Sequence, residues 1–73
     1  MPEQAKWADS ALSARERDVL VWASQGKSAR EIGEILGIAK ATVDSHTQSA
    51  AHKLGASNRT HAVALALLSG VIS

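Results

Sequence analysis

Three residues, Gly37-Ile38-Ala39, separate two segments that both carry helical punctuation, and no other feature constrains the fold as tightly. Two helices joined by so short a turn, with a glycine in it, form a helix-turn-helix. An ordinary antiparallel helical hairpin satisfies the same spacing, so the turn alone leaves both forms open.

The helix boundaries follow from capping chemistry. Ser13-Ala14-Arg15-Glu16 is a capping box: the serine hydroxyl takes an orphan backbone N–H and the glutamate reaches back. Val19, Leu20 and Ala23 then recur at helical spacing and Gly26 supplies a stop, which predicts a first helix over about 14–24. Ser28-Ala29-Arg30-Glu31 repeats the box. Ile32, Ile35 and Leu36 give the buried face and Gly37 the stop of a second helix, about 29–36. A third helix runs from about Lys40 to Leu54, closed by Gly55, but its cap position holds Ala39, which has no side-chain acceptor. Asn58 caps a fourth helix over about 59–69, with Gly70 beyond it. No segment has strand periodicity, so the expected class is all-α, a four-helix domain over 12–73 preceded by an arm or linker over 1–11. Trp7 lies in that arm, which has no clear period.

Composition removes several classes of function. The chain has 73 residues and no cysteine, which excludes disulfides and thiolate metal sites. It has no signal peptide and no apolar run long enough to span a bilayer, so the expectation is a cytoplasmic protein without a membrane partner. Phe and Tyr are absent and Trp occurs twice, which disfavours stacking on single-stranded bases. The formal net charge is only +1, but its distribution is uneven. Between residues 27 and 61, Lys27, Arg30, Lys40, Lys53 and Arg59 face Glu31, Glu34 and Asp44, a mildly basic stretch suited to an anionic partner.

The third helix, KATVDSHTQSAAHKL, concentrates the polar chemistry. At about 100° per residue, Val43, Thr47, Ala50 and Leu54 form the core side. Ala41, Asp44, Ser45, Gln48 and His52 occupy the opposite arc, with His46 and Lys53 at its border. Metal binding on one helix needs ligands three or four residues apart. His46 and His52 are six apart and about 120° from each other, while Asp44 and His52 lie about 12 Å apart along the axis. Neither pair closes on one ion. No base stands beside a nucleophile at a recognisable spacing, and so small a helical domain offers little room for a dry pocket. Nothing in the sequence implies an enzyme or a cofactor, and the three histidines are read as solvated or packing residues.

Recognition remains. A helix lined with alanine and hydroxyl groups can sit deep in a groove, where Gln pairs with adenine and Asp accepts from the cytosine amino group. Lys40 and Thr42, at the helix start, can meet phosphates with help from the dipole. A plain solvated polar face fits the same periodicity.

The fourth helix is apolar nearly all round. Ala62, Val63 and Ala66 suit close packing on the core. Leu65 and Leu68, aligned with His61, point away from it and suggest an interface, unless Val71 and Ile72 fold back over them.

LSARERDVLVWASQGKSAREIGEILGIAKATVDSHTQSAAHKLGASNRTHAVALA resembles the DNA-binding domain of LuxR/GerE-type transcription regulators. The resemblance spans about 12–72 and rests on Leu12-Ser13 with Arg15-Glu16, Gly26-Lys27-Ser28, Glu31-Ile32, Thr42-Val43, His46, Lys53-Leu54 and Asn58-Arg59. The first three helices also resemble bacterial sigma-factor region four, but KLGASNRTHAVA and His46 favour LuxR/GerE. It implies a four-helix helix-turn-helix domain whose third helix reads double-stranded DNA. Base contacts then fall to Asp44, Ser45 and Gln48. Thr42, Lys53 and Arg59 suit the backbone, with Lys40 and Lys27 adding phosphate contacts. It further implies a homodimer on an inverted-repeat operator, paired through the last helix at His61, Leu65 and Leu68, and RNA polymerase as a partner. Trp22-Ala23 and the following Gly26-Lys27-Ser28 are similar to the quorum-sensing branch, in which a separate N-terminal domain binds an acyl-homoserine lactone. The 73 residues do not include such a domain, so the expectation is the C-terminal fragment of a longer regulator, with a stand-alone member as the alternative. Two positions depart from the family pattern: Ala39 lacks the usual cap, and Ser49 replaces the usual Asn and puts one structural hydrogen bond in question. Asp44 is unusual on a DNA-facing surface because it repels phosphate. The competing function, from another class, is a protein-interaction module that kept the fold and lost DNA binding.

Overall fold

A computed structural model describes residues 12–73. The expected arm, with Trp7, lies outside the described residues. Four helices follow in order: α1 (Ala14–Ser24), α2 (Ala29–Leu36), α3 (Lys40–Leu54) and α4 (Arg59–Leu68). The last ends one residue earlier than expected.

Both capping boxes form. In the first, the Glu16 N–H donates to Ser13 Oγ at 3.0 Å and the Ser13 N–H to Glu16 Oε1 at 2.9 Å. In the second, the Glu31 N–H donates to Ser28 Oγ at 3.1 Å and the Ser28 N–H to Glu31 Oε1 at 2.8 Å. The Ser28 backbone N–H, and then its hydroxyl, hold the Glu31 carboxyl below its ordinary range. Ala39 stands at the N-cap of α3 with extended backbone and no side-chain bond.

Helix α3 is the hub, touching α1, α2 and α4 in turn. Its inner side divides between two clusters. Val43 packs with Val19 and Ile32, while Ala50 packs with Leu12, Leu20, Ala62, Ala66 and Ile72. Thr47 and Leu54 are half-buried, and Thr47 Oγ1 donates to the Val43 carbonyl at 3.0 Å.

The buried face of α2 differs from the sequence expectation. Ile35 is 44% exposed, and Gly33 is buried in its place. A Cβ added at Gly33 would stand 2.7 Å from the Ile38 carbonyl oxygen. The missing side chain therefore lets the turn press onto α2, which centres the buried face between Ile32, Gly33 and Leu36. Ile35 falls about 110° away from that centre. Gly37 then reverses the chain with φ +72°, a conformation that favours glycine.

The C-terminal tail also differs in part. Val71 and Ile72 do fold back, with the Val71 N–H donating to the Ala66 carbonyl at 3.0 Å. They close over the core beside Ala62 and Ala66, leaving Leu68 83% exposed. Leu65 is half-buried, and Leu67 joins Leu68 on the outer surface.

Candidate nucleic-acid interface

The outer arc of α3 is open. Ala41, Thr42, Ser45, Gln48 and His52 are exposed, and Asp44 is half-buried. Small side chains at 41 and 45 let another surface approach the helix backbone. Asp44, Gln48 and His52 line a groove whose other wall is the start of α4, with Ser57, Asn58 and Arg59. A second concavity adjoins it, lined by Gly26, Lys27, Ser28, Arg59 and Thr60. Arg59 stands at the junction of the two, where its guanidinium donates to the Lys27 carbonyl. The fold thus gathers Asp44, Gln48 and Arg59 around one groove and Lys27 beside Arg59 in the next.

Two further cations of the expected set, Lys40 and Lys53, make ion pairs within the domain. The Lys40 ammonium lies 2.8 Å from Asp44 Oδ2, turned along the helix surface. Lys53, at the border of the polar arc, turns toward α1, its ammonium 2.9 Å from Glu16 Oε1 and 3.2 Å from Oε2. It is a third exposed, whereas Glu16 is almost fully buried.

Glu16 is the residue that sequence reasoning missed. Its capping role was legible, but the same carboxylate also anchors the last turn of α3. Burial by itself pushes its pKa up. Hydrogen bonds from the Ser49 side chain, the Ser13 backbone and Lys53, with the Lys53 charge, outweigh burial and bring it down to about 2. The only signal in the sequence was a lysine off the polar arc of α3 together with a capping glutamate close to the core positions of α1.

His61 is also tied down. Asn58 Oδ1 accepts from the His61 N–H at 2.9 Å, and His61 Nδ1 accepts from the Ser57 N–H at 2.9 Å. The imidazole, itself exposed, closes the loop before α4. Among the described residues no group of three or more His, Cys, Asp or Glu could hold a metal ion. None of the described helices is long and apolar enough to cross a membrane.

The sequence profile of the bacterial regulatory proteins of the luxR family (GerE) matches residues 10–66. The transcriptional activator protein BjaR1 of Bradyrhizobium diazoefficiens is 55% identical over 71 residues, covering 97% of this chain and 29% of its own length. The quorum sensing-dependent transcriptional regulator VjbR of Brucella ovis is 54% identical over 63 residues, covering 86% of this chain and 24% of its own. The transcriptional activator protein LuxR of Aliivibrio fischeri is 41% identical over 68 residues, 93% of this chain and 27% of its own. The chain thus spans under a third of the length of these relatives. The solved structure of the transcription factor GerE superposes with a TM-score of 0.82 at 32% identity, covering 86% of this chain and 94% of that one.

Proposed function

The chain belongs to the luxR (GerE) family of bacterial regulatory proteins and is its non-enzymatic, DNA-binding helix-turn-helix domain, and from that premise we propose that α3 reads the major groove of an operator through Asp44, Ser45 and Gln48. The observation that carries this reading is the open arc of α3, small and polar, beside a groove that ends at Arg59. Asp44 and Gln48 supply hydrogen-bonding chemistry that distinguishes bases, and Ala41 and Ser45 let the helix approach closely. Lys27, Thr42 and Arg59 meet the backbone on the flanks. An ammonium has three donors, so Lys53 can hold Glu16 and still offer one N–H to a phosphate.

The names of the relatives, transcriptional activators and a quorum sensing-dependent regulator, support a whole regulator that activates transcription in the quorum-sensing branch. We infer further that it is cytoplasmic, binds its signal ligand through another domain and has RNA polymerase as its partner. On DNA two copies pair through α4. Exposed Leu68, with half-buried Leu65 and with His61 at the head of the helix, supports that assignment. Two paired domains present their α3 helices to half-sites about one helical turn apart.

Selection of bound duplexes from a random pool, followed by salt titration, tests the reading. The expected result is an inverted repeat bound with an affinity that falls steeply with salt. Enrichment of no sequence, or affinity indifferent to salt, would refute it.

A further inference from the structure

Lys40, Asp44, Gln48 and His52 recur every four residues along α3 and so form one ridge, stepping about 6 Å at a time along its outer face. The charges on this ridge run against what the helix itself prefers. Lys40 is the first helical residue, with no acidic residue in the first turn and no side-chain cap at Ala39. The dipole there favours an anion, and a cation preceding an anion by four residues is the weaker order for a helical pair. Even so, the Lys40 ammonium lies 2.8 Å from Asp44 Oδ2. The two side chains are 64% and 49% exposed, so their pairing adds little to stability. A local arrangement that costs the helix and gains the fold little marks a functional position.

The pair presents an acceptor and a donor side by side. Lys40 engages Oδ2, and Asp44 Oδ1 has no hydrogen bond among the described residues. One ammonium bond to Asp44 leaves Lys40 two further donors. The major-groove edge of a G·C pair is the complement, with the guanine O6 and N7 acceptors next to the cytosine amino donor. An A·T pair also offers acceptors and a donor, but adenine N7 and thymine O4 stand on either side of the adenine amino group and the thymine methyl flanks them. The two free ammonium donors therefore do not find the adjacent acceptors that guanine O6 and N7 provide.

We propose that Lys40 and Asp44 act as one specificity-determining unit that reads a G·C pair, Asp44 accepting from the cytosine amino group and Lys40 donating to the guanine. The proposal rests on α3 lying in the major groove. It also accounts for a carboxylate on a DNA-facing surface: the lysine cancels the charge that phosphates would repel.

The test uses the 73-residue chain and its selected duplex, with each base pair changed in turn, for the parent and for Lys40→Met, Asp44→Asn and the double variant. Neither side chain belongs to either core cluster, and unchanged circular dichroism spectra confirm folding. The parent should prefer G·C at one position of each half-site by about tenfold. Each single variant should lose that preference at that position only, and the double variant should lose no more than either. Two results overturn the proposal: a Lys40→Met protein weakened equally on every sequence, with a shallower salt slope, or an Asp44→Asn protein whose preferences match the parent's. A parent that prefers no base pair anywhere instead overturns the reading of α3 itself.

Discussion

Removing the Lys53 ammonium while keeping its apolar stem, as in Lys53→Met, strands a carboxylate that is almost fully buried. The cost follows from the titration of Glu16. Its pKa falls from 4.5 to about 2, and at about 1.4 kcal/mol per pH unit the net gain of its contacts over burial is roughly 3 kcal/mol, of which Lys53 supplies a part beside the Ser49 and Ser13 contacts. Breaking one side of a buried pair typically costs about 3–5 kcal/mol. Lys53 is a third exposed, so water can partly replace it and the lower end applies. A domain of this length has a total stability of about 4–11 kcal/mol, so the variant should lose a large share of it. Because the folded-state pKa lies below the unfolded one, the contribution is complete above the ordinary carboxyl pKa of 4.5 and drains away as the pH falls toward 2.

Urea denaturation of the parent, Lys53→Met and Glu16→Gln at several pH values between 7 and 2 measures this directly. The parent should weaken steeply through the acid range. Glu31, whose carboxyl is also lowered, titrates in all three proteins, so the difference between parent and Glu16→Gln isolates Glu16. That difference should be largest near neutrality and vanish near pH 2. Parallel acid profiles for parent and Glu16→Gln, or a Lys53→Met protein within about 0.5 kcal/mol of the parent at pH 7, would show that the clasp contributes nothing.

Four further changes probe other parts of the argument. Gln48→Ala should lower affinity for the selected duplex by about 1–3 kcal/mol and relax preference at one base pair, read by competition binding. Ala39→Ser should raise stability by about 0.5–2 kcal/mol, because Ala39 already has the extended backbone of an N-cap; a denaturation midpoint that does not rise counts against it. Gly33→Ala should destabilise by about 1–3 kcal/mol through overpacking despite the better helix propensity of alanine, since the new methyl meets a backbone oxygen rather than a flexible side chain. Leu68→Glu should leave the helical spectrum and midpoint unchanged, because the side chain is 83% exposed, yet abolish cooperative binding to an inverted repeat; retained cooperativity would place the dimer contact elsewhere.

The sequence was informative wherever a residue acts on its own neighbours. Ser13, Ser28 and Asn58 cap the helices they precede, and the outer arc of α3 follows from its own periodicity, so both could be read along the chain. The failures all involve contact between segments. Ile35 has the right period for the α2 core, but the close approach of the turn at Gly33 rotated the buried face away from it. Leu65 and Leu68 share a line on α4, yet Leu65 is half-buried and Leu68 exposed, while the tail after Gly70 closes over the core beside Ala62 and Ala66. Lys53 reads as a free cation until α1 brings Glu16 against it, 37 residues earlier in the chain.

These cross-chain contacts explain how so short a domain can expose an uncapped helix. α3 has no side-chain acceptor at its start, which leaves its first turn weakly specified from within. Its position is set instead from outside: the turn against Gly33 near the first residue, Val43 and Ala50 in the two core clusters, and the Glu16 clasp at the last turn. All of these restraints act away from the outer arc. The arc can therefore carry Lys40, Asp44, Gln48 and His52 outside both core clusters, and under the proposed function substitutions along that ridge change what α3 reads while the fold that presents it stays the same.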